Sequence, residues 1–389
     1  MQTLRSRPAR SWRKPELSSR WARRRSPRPL ELLCACLSAG QVGRSLDTAF
    51  AAKLTDASTD LVALARLAGR HRVTPMLAPA IAAPELQQRL PEDFRLYLQF
   101  VHAENDRRNH ALRRQLGQTA VALNEVDIEP LLLKGAVRLV DGPYPDLGWR
   151  FMRDLDLLIP RDRLGQAVAC LESLGYFTPD TADLPTHGRH LPPLTHEGAV
   201  AVLELHTDLL DSREILPAEH VLARSRLLDL DGARVRVPDA ADQLLHLLGH
   251  DRFDGDLRRS GMFLLRSIFE TTLLCHNEHS LSQLLDRVAS TPLARHARVR
   301  LALAVRLFPN YFAPTLHFGL DDRMLARALL GLEQLDENGR LRRLFGYGRL
   351  QLGNLLGSPA WRKQFAANIK FAGYRRHCLQ RLCRLWSGD

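Results

Sequence analysis

The stretch Leu131-Leu132-Leu133-Lys134-Gly135, a polar turn holding Tyr144, Pro145 and Arg150, and then Arg153-Asp154-Leu155-Asp156-Leu157-Leu158-Ile159 decides the fold. It reads as a buried strand, a glycine turn able to open a helix, and a second strand with two carboxylates on alternate positions. Side chains alternate along a strand, so Asp154 and Asp156 leave the same face, roughly 7 Å apart. Leu155, Leu157 and Ile159 leave the other face. Two acids on a strand whose reverse side is wholly apolar make a seat for divalent cations, because hard cations take carboxylate oxygens.

Outward from this stretch, residues 127–237 alternate strands with one helix. Strands are expected at 130–133, 154–159 and 199–206, a short helix at 136–140, and an amphipathic helix at 161–175 that ends on a glycine. Residues 178–197, rich in Pro, His and Thr, read as a loop, and 227–237 as a hairpin about Asp231-Gly232. The flanks are helical. Residues 32–126 include a long helix opened by Pro91-Glu92-Asp93, with Phe94, Leu98, Val101, Leu112, Leu116, Ala120 and Leu123 along one side. Beyond Asp239, helices are expected at 243–250, 263–275, 281–288, 298–307 and 324–335. The fold class is α+β: a small mixed β-sheet flanked by N- and C-terminal helical regions. Its divisions are a basic tail at 1–29, a helical arm at 30–126, a core at 127–237 and a helical domain with a basic end at 238–389.

With 389 residues, 45% of them hydrophobic and 25% charged, the chain has the composition of an ordinary globular protein, large enough to bury a sizeable core. No window approaches eighteen uninterrupted apolar residues, which argues against a membrane-spanning helix. The six cysteines lack C-x-x-C pairs and read as reduced thiols of a cytoplasmic protein. The net charge of +12 resides in the ends: residues 1–30 carry +9 and 340–389 carry +10, so the middle is mildly acidic. That distribution, and the lack of any DNA-binding motif, exclude a nucleic-acid-binding core. Residues 1–29 read either as a flexible basic tail or as the product of a start codon assigned upstream of the true one. At the other end, Arg and Lys interleave with Trp361, Phe371, Tyr374 and Trp386, a mixture that suits weak contact with an anionic membrane or RNA, or simply a solvated basic face.

The cation seat narrows the chemistry. Transfer of a nucleotidyl group builds negative charge on both attacking and leaving oxygens, and divalent cations about 4 Å apart neutralise it. The protein must supply two carboxylates on one strand face, a third on a neighbouring strand, and a turn where the chain can approach phosphate. Asp154 and Asp156 are the pair, and Glu204 in Val202-Leu203-Glu204-Leu205-His206 is the third carboxylate. Lys134 and Gly135 lie at the turn. Taken singly, Glu204 also fits an ion pair with Arg150 or Arg153, and His206 a satisfied core histidine.

In these residues the chain resembles the polymerase-β-like nucleotidyltransferases, and more closely their bacterial nucleotidyltransferase family proteins. The resemblance covers about 128–210. It rests on Leu133-Lys134-Gly135, Tyr144-Pro145, Arg150, Asp154-Leu155-Asp156-Leu157-Leu158, Leu174-Gly175-Tyr176, His190 and Leu203-Glu204-Leu205-His206. It implies a sheet of the nucleotidyltransferase type, an NTP substrate with release of pyrophosphate, and Asp154, Asp156 and Glu204 as catalytic ligands of Mg2+ or Mn2+. It also implies phosphate contacts from Lys134 and Gly135; Arg150 and Arg153 read as nucleotide-binding residues that neutralise the triphosphate, or as braces for the carboxylates. His190, His206 and His250 are further candidates, and His246 matches the same histidine helix as His250. The acceptor is not implied. Two departures stand out: Lys134-Gly135 replaces the usual glycine-serine, and Thr207 replaces a frequent tryptophan. They leave open a second reading, a catalytically degenerate fold that binds nucleotide or a protein partner.

Overall fold

Five strands, β1 Leu131–Leu132, β2 Asp154–Leu158, β3 Val202–His206, β4 Arg226–Leu230 and β5 Ala233–Val237, form one mixed sheet in the order β3-β2-β1-β5-β4. This is a computed structural model that describes residues 28–333 without 42, 44–45, 179–188, 254–262, 276–277, 315, 317 and 319–321. The basic end at 340–389 and nearly all of the basic tail at 1–29 lie outside the described residues. β2 runs antiparallel to β1 and parallel to β3, while β1 is parallel to β5. The β4–β5 hairpin turns through Asp231 (φ 55°) and Gly232 (φ 91°), the two left-handed residues that a tight hairpin of right-twisted strands requires.

The alternation of β2 sorts its side chains between two cores. Leu155, Leu157 and Ile159, with Leu203 and Leu205, pack on Leu112, Leu116, Ala120 and Leu123 of the helix Glu92–Glu125 and on Ala167 and Leu171 of the helix Leu164–Ser173. Leu131, Leu133 and Leu158 pack on the other side against Leu244, Leu245 and Leu248 of the helix Ala240–Phe253. Asp154 and Asp156 share a face with Leu158, so the C-terminal helices lie on the carboxylate side of the sheet.

The flanking helices meet in a third core, where Leu33, Leu37, Met76 and Leu98 from the N-terminal side pack with Phe269, Leu303, Phe308 and Leu332 from the C-terminal side. His71 ties the two together. Its Nδ1 accepts from the Leu265 amide (3.1 Å) and its Nε2 lies 3.0 Å from the Leu332 carbonyl, an arrangement that only the neutral ring protonated on Nε2 satisfies.

The long helix does more than offer the apolar stripe read from its sequence. Its buried face continues through Asn105, Asn109 and Gln115. Asn105 donates to the Gly148 carbonyl (2.6 Å), and Asn109 to those of Leu147 (2.6 Å) and Arg150 (2.7 Å), fixing the turn that leads into β2. Gln115 donates to the Ala201 carbonyl (2.7 Å) and accepts from the Ala201 amide (3.1 Å) just before β3. One helix thereby positions the entries of both carboxylate strands.

The segment read as a loop at 178–197 is a loop only in part. Its later residues run antiparallel beside β3, with bridges His190–His206 and Leu194–Leu203, because Leu191 and Leu194 donate to the Leu205 and Leu203 carbonyls at 2.9 and 2.8 Å. Pro192 and Pro193 removed the alternation that would have announced a strand. Among the described residues no helix is long and apolar enough to cross a membrane. The described cysteines, Cys34, Cys36, Cys170 and Cys275, are free thiols, and burial pushes Cys36 and Cys275 up to about 12.

Candidate active site

The parallel register of β2 and β3 sets Asp156 beside Glu204 and Leu158 beside His206, so that an acid from each strand and an imidazole emerge on one face. Ligand atoms of Asp156, Glu204 and His206 lie within 4.8 Å of one another, a grouping able to hold a metal ion. His206 is fully buried, and its Nε2 stands 2.8 Å from Asp156 Oδ1 and 3.6 Å from Glu204 Oε2. Asp154, two residues earlier on the same face, is half-buried and outside that close group.

Asp156 is only 1% exposed, and its two oxygens differ. Oδ1 accepts from the Lys134 ammonium at 2.5 Å as well as from His206. Oδ2 is buried without a hydrogen-bond partner. An unpaired carboxylate oxygen at such depth costs the full desolvation of that atom, about 1–3 kcal/mol or more, unless a cation or donor meets it. The donor set therefore fits a divalent metal: hard carboxylate oxygens, one of them orphaned, with an imidazole beside them.

Burial raises the Asp156 carboxyl, but Lys134 and His206 outweigh it and hold the group far below the usual carboxylate range. Asp154 moves the opposite way, pushed up by burial and by the charges of Asp156 and Glu204. The neighbouring His206 imidazole, 3.6 Å away, draws Glu204 down against its own burial.

The turn expected to grip phosphate begins with Lys134 at φ 48°, the left-handed region, and continues as the one-turn helix Lys134–Val137. Gly135 is packed, not merely flexible: a Cβ there would lie 2.6 Å from Arg150 Nη1 and 2.8 Å from Met152 Sδ. Arg150 is buried and donates through Nε to Glu270 Oε1, which also accepts from the Tyr144 hydroxyl at 3.2 Å. Burial would raise Glu270, yet Arg150, Arg266 and Arg138 together hold it at about 2. Arg150 thus pairs with Glu270 on the helix Leu265–Cys275, while Arg153, just before β2, is exposed.

His190 is exposed, its ring 5.1 Å from that of His206, at the rim of the acidic group. His250 is half-buried beside Asp251. His246, one turn earlier on the same helix, is buried with Nε2 unpartnered, and burial together with Lys134 and His250 holds it well below the usual histidine range. Sequence reasoning weighted His250 above His246, because the apolar residues Leu244, Leu245 and Leu248 lie on the other side of the helix from position 246 and gave no sign that it is buried. Glu270 was missed entirely, because a lone glutamate among apolar and threonine residues, Ile268-Phe269-Glu270-Thr271-Thr272-Leu273, was its sole signal.

A mixed sheet brings carboxylates from adjacent strands together, beside a glycine turn, in a group able to hold a metal ion. A family model described as an uncharacterised nucleotidyltransferase matches residues 57–309, and the chain belongs to that family. The match runs from the N-terminal helices through the sheet and into the C-terminal helices, so the flanks belong with the core. No curated protein and no solved structure matches the chain.

Proposed function

We propose that the protein is a metal-dependent nucleotidyltransferase of the polymerase-β-like type. An acceptor oxygen or other nucleophile attacks the α-phosphorus of an NTP, the bond from that phosphorus to the β-phosphate bridging oxygen breaks, and pyrophosphate leaves with the electron pair. The observation that carries this reading is the register pairing of Asp156 with Glu204, which brings carboxylates of parallel strands together around a buried, unpartnered Asp156 oxygen.

Asp154, Asp156 and Glu204 are the residues to hold Mg2+ or Mn2+, which when bound would supply Lewis-acid stabilisation of the charge on the transferring phosphoryl group. His206 orients the pair through Asp156 Oδ1. Lys134 and Gly135, with Arg153 at the exposed edge, make up the nucleotide side, and Arg150 positions Gly135 from behind while anchored on Glu270. The division into an arm at 30–126, a core at 127–237 and a C-terminal helical region belongs to the same proposal.

The test is pyrophosphate release from each of the four NTPs with Mg2+ or Mn2+, using a cell extract as the source of acceptors. The expected result is release with at least one NTP, falling about 10³-fold in Asp156→Asn, the scale of several kcal/mol of transition-state stabilisation. Absence of release from all four, or equal release by Asp156→Asn, would overturn it and favour a fold that binds nucleotide without chemistry.

A further inference from the structure

Lys134 is in an unusual position for a lysine. Its backbone takes φ 48°, a region that glycine enters freely and that costs other L-residues roughly 1 kcal/mol. The lysine stays there with its ammonium 2.5 Å from Asp156 Oδ1 and its side chain only 21% exposed. Strain of this kind persists where the side chain supplies something that the site needs.

What the ammonium supplies is a positive charge on Asp156, the β2 carboxylate paired in register with Glu204 of β3. The face presents the carboxylates of Asp154, Asp156 and Glu204, with Lys134 as the cation bonded to them and nearby Arg150 already paired with Glu270; these carboxylates and Lys134 together leave two negative charges. One divalent cation balances that charge, and two would exceed it. The oxygens tell the same story. Asp156 Oδ1 is taken by Lys134 and His206, whereas Oδ2 is buried, unpartnered and free to bind an ion.

We propose that the Lys134 ammonium takes the place of one of the two cations that nucleotidyl transfer requires, so that the site binds a single divalent ion through the remaining oxygens of Asp156 and Glu204. This rests on the reading of these carboxylates as a metal seat. The permanent cation is then part of the chain, and the ion is left to the side of Asp156 that Lys134 does not reach.

Bound Mn2+ per full-length chain, counted from the electron paramagnetic resonance signal of free Mn2+, tests this in the wild type, Lys134→Gly and Asp156→Asn. Glycine suits the left-handed backbone, so Lys134→Gly removes the charge without adding strain. The expected counts are one ion in the wild type, two in Lys134→Gly and none in Asp156→Asn. Two ions in the wild type, or one ion in both the wild type and Lys134→Gly, would overturn the role of Lys134 while leaving the metal seat intact. No ion in the wild type, or an ion that survives Asp156→Asn, would overturn the metal seat as well.

Discussion

Asp156 holds opposite environments on its two oxygens, a cation and an imidazole on one and nothing on the other, and the site follows from that difference. The period of two along β2 already showed that Asp154 and Asp156 share a face, and the same rule applied to Val202-Leu203-Glu204-Leu205-His206 supplied Glu204 and His206. The contact of Lys134 with Asp156 was not legible, because it depends on a left-handed residue that local pattern does not reveal. Nor was the partner of Arg150, since Glu270 lies 120 positions away on a different helix. Gly135 offers the clearest test at this scale. Its hydrogen occupies the only space between the backbone and Arg150 Nη1, so Gly135→Ala must displace Arg150 or Met152. It is expected to lower stability by about 1–3 kcal/mol, read as a shift in denaturant midpoint at unchanged slope. An unshifted midpoint would mean that the guanidinium is not held where the structure has it.

At the scale of elements, β2, β3, the hairpin and the long helix were readable because each has a strong period or a turn signal. Their mutual placement was not. Asn105, Asn109 and Gln115 interrupt the apolar stripe of the long helix, and a pattern that counts only apolar residues passes over the amides that hold the entries to β2 and β3. The joining of the N- and C-terminal helices through His71 is equally invisible locally, since its partners are backbone groups of Leu265 and Leu332. Burial, with a smaller contribution from Arg70, lowers His71 from 6.5 to about 4, against the opposing hydrogen bond to Leu332. Below pH 6.5 the unfolded chain binds a proton that folded His71 refuses until about pH 4. Stability from this group is therefore complete above pH 6.5 and declines as pH falls through that window, by on the order of 3 kcal/mol in all. Melting temperature followed from pH 7.5 to pH 4 should fall less steeply in His71→Leu than in the wild type, from a lower starting value. Parallel slopes would show that His71 is not the titrating link.

For the whole molecule, the sequence placed the basic charge at its two ends and a mildly acidic middle between them, and the acidic group now lies on the sheet within that middle. Helices from both flanks close around one core, and the family match spans them. The central claim is that the nucleotidyl group, not the terminal phosphate, moves. Parallel reactions with NTPs radiolabelled at the α- or the γ-phosphate, run with Mn2+ and an extract supplying acceptors, separate these outcomes directly. The account predicts that an acceptor becomes labelled from the α-phosphate alone, that the γ-label appears only in pyrophosphate, and that both signals disappear in Glu204→Gln. Label passing to an acceptor from the γ-phosphate, or transfer that survives the loss of Glu204, would contradict it.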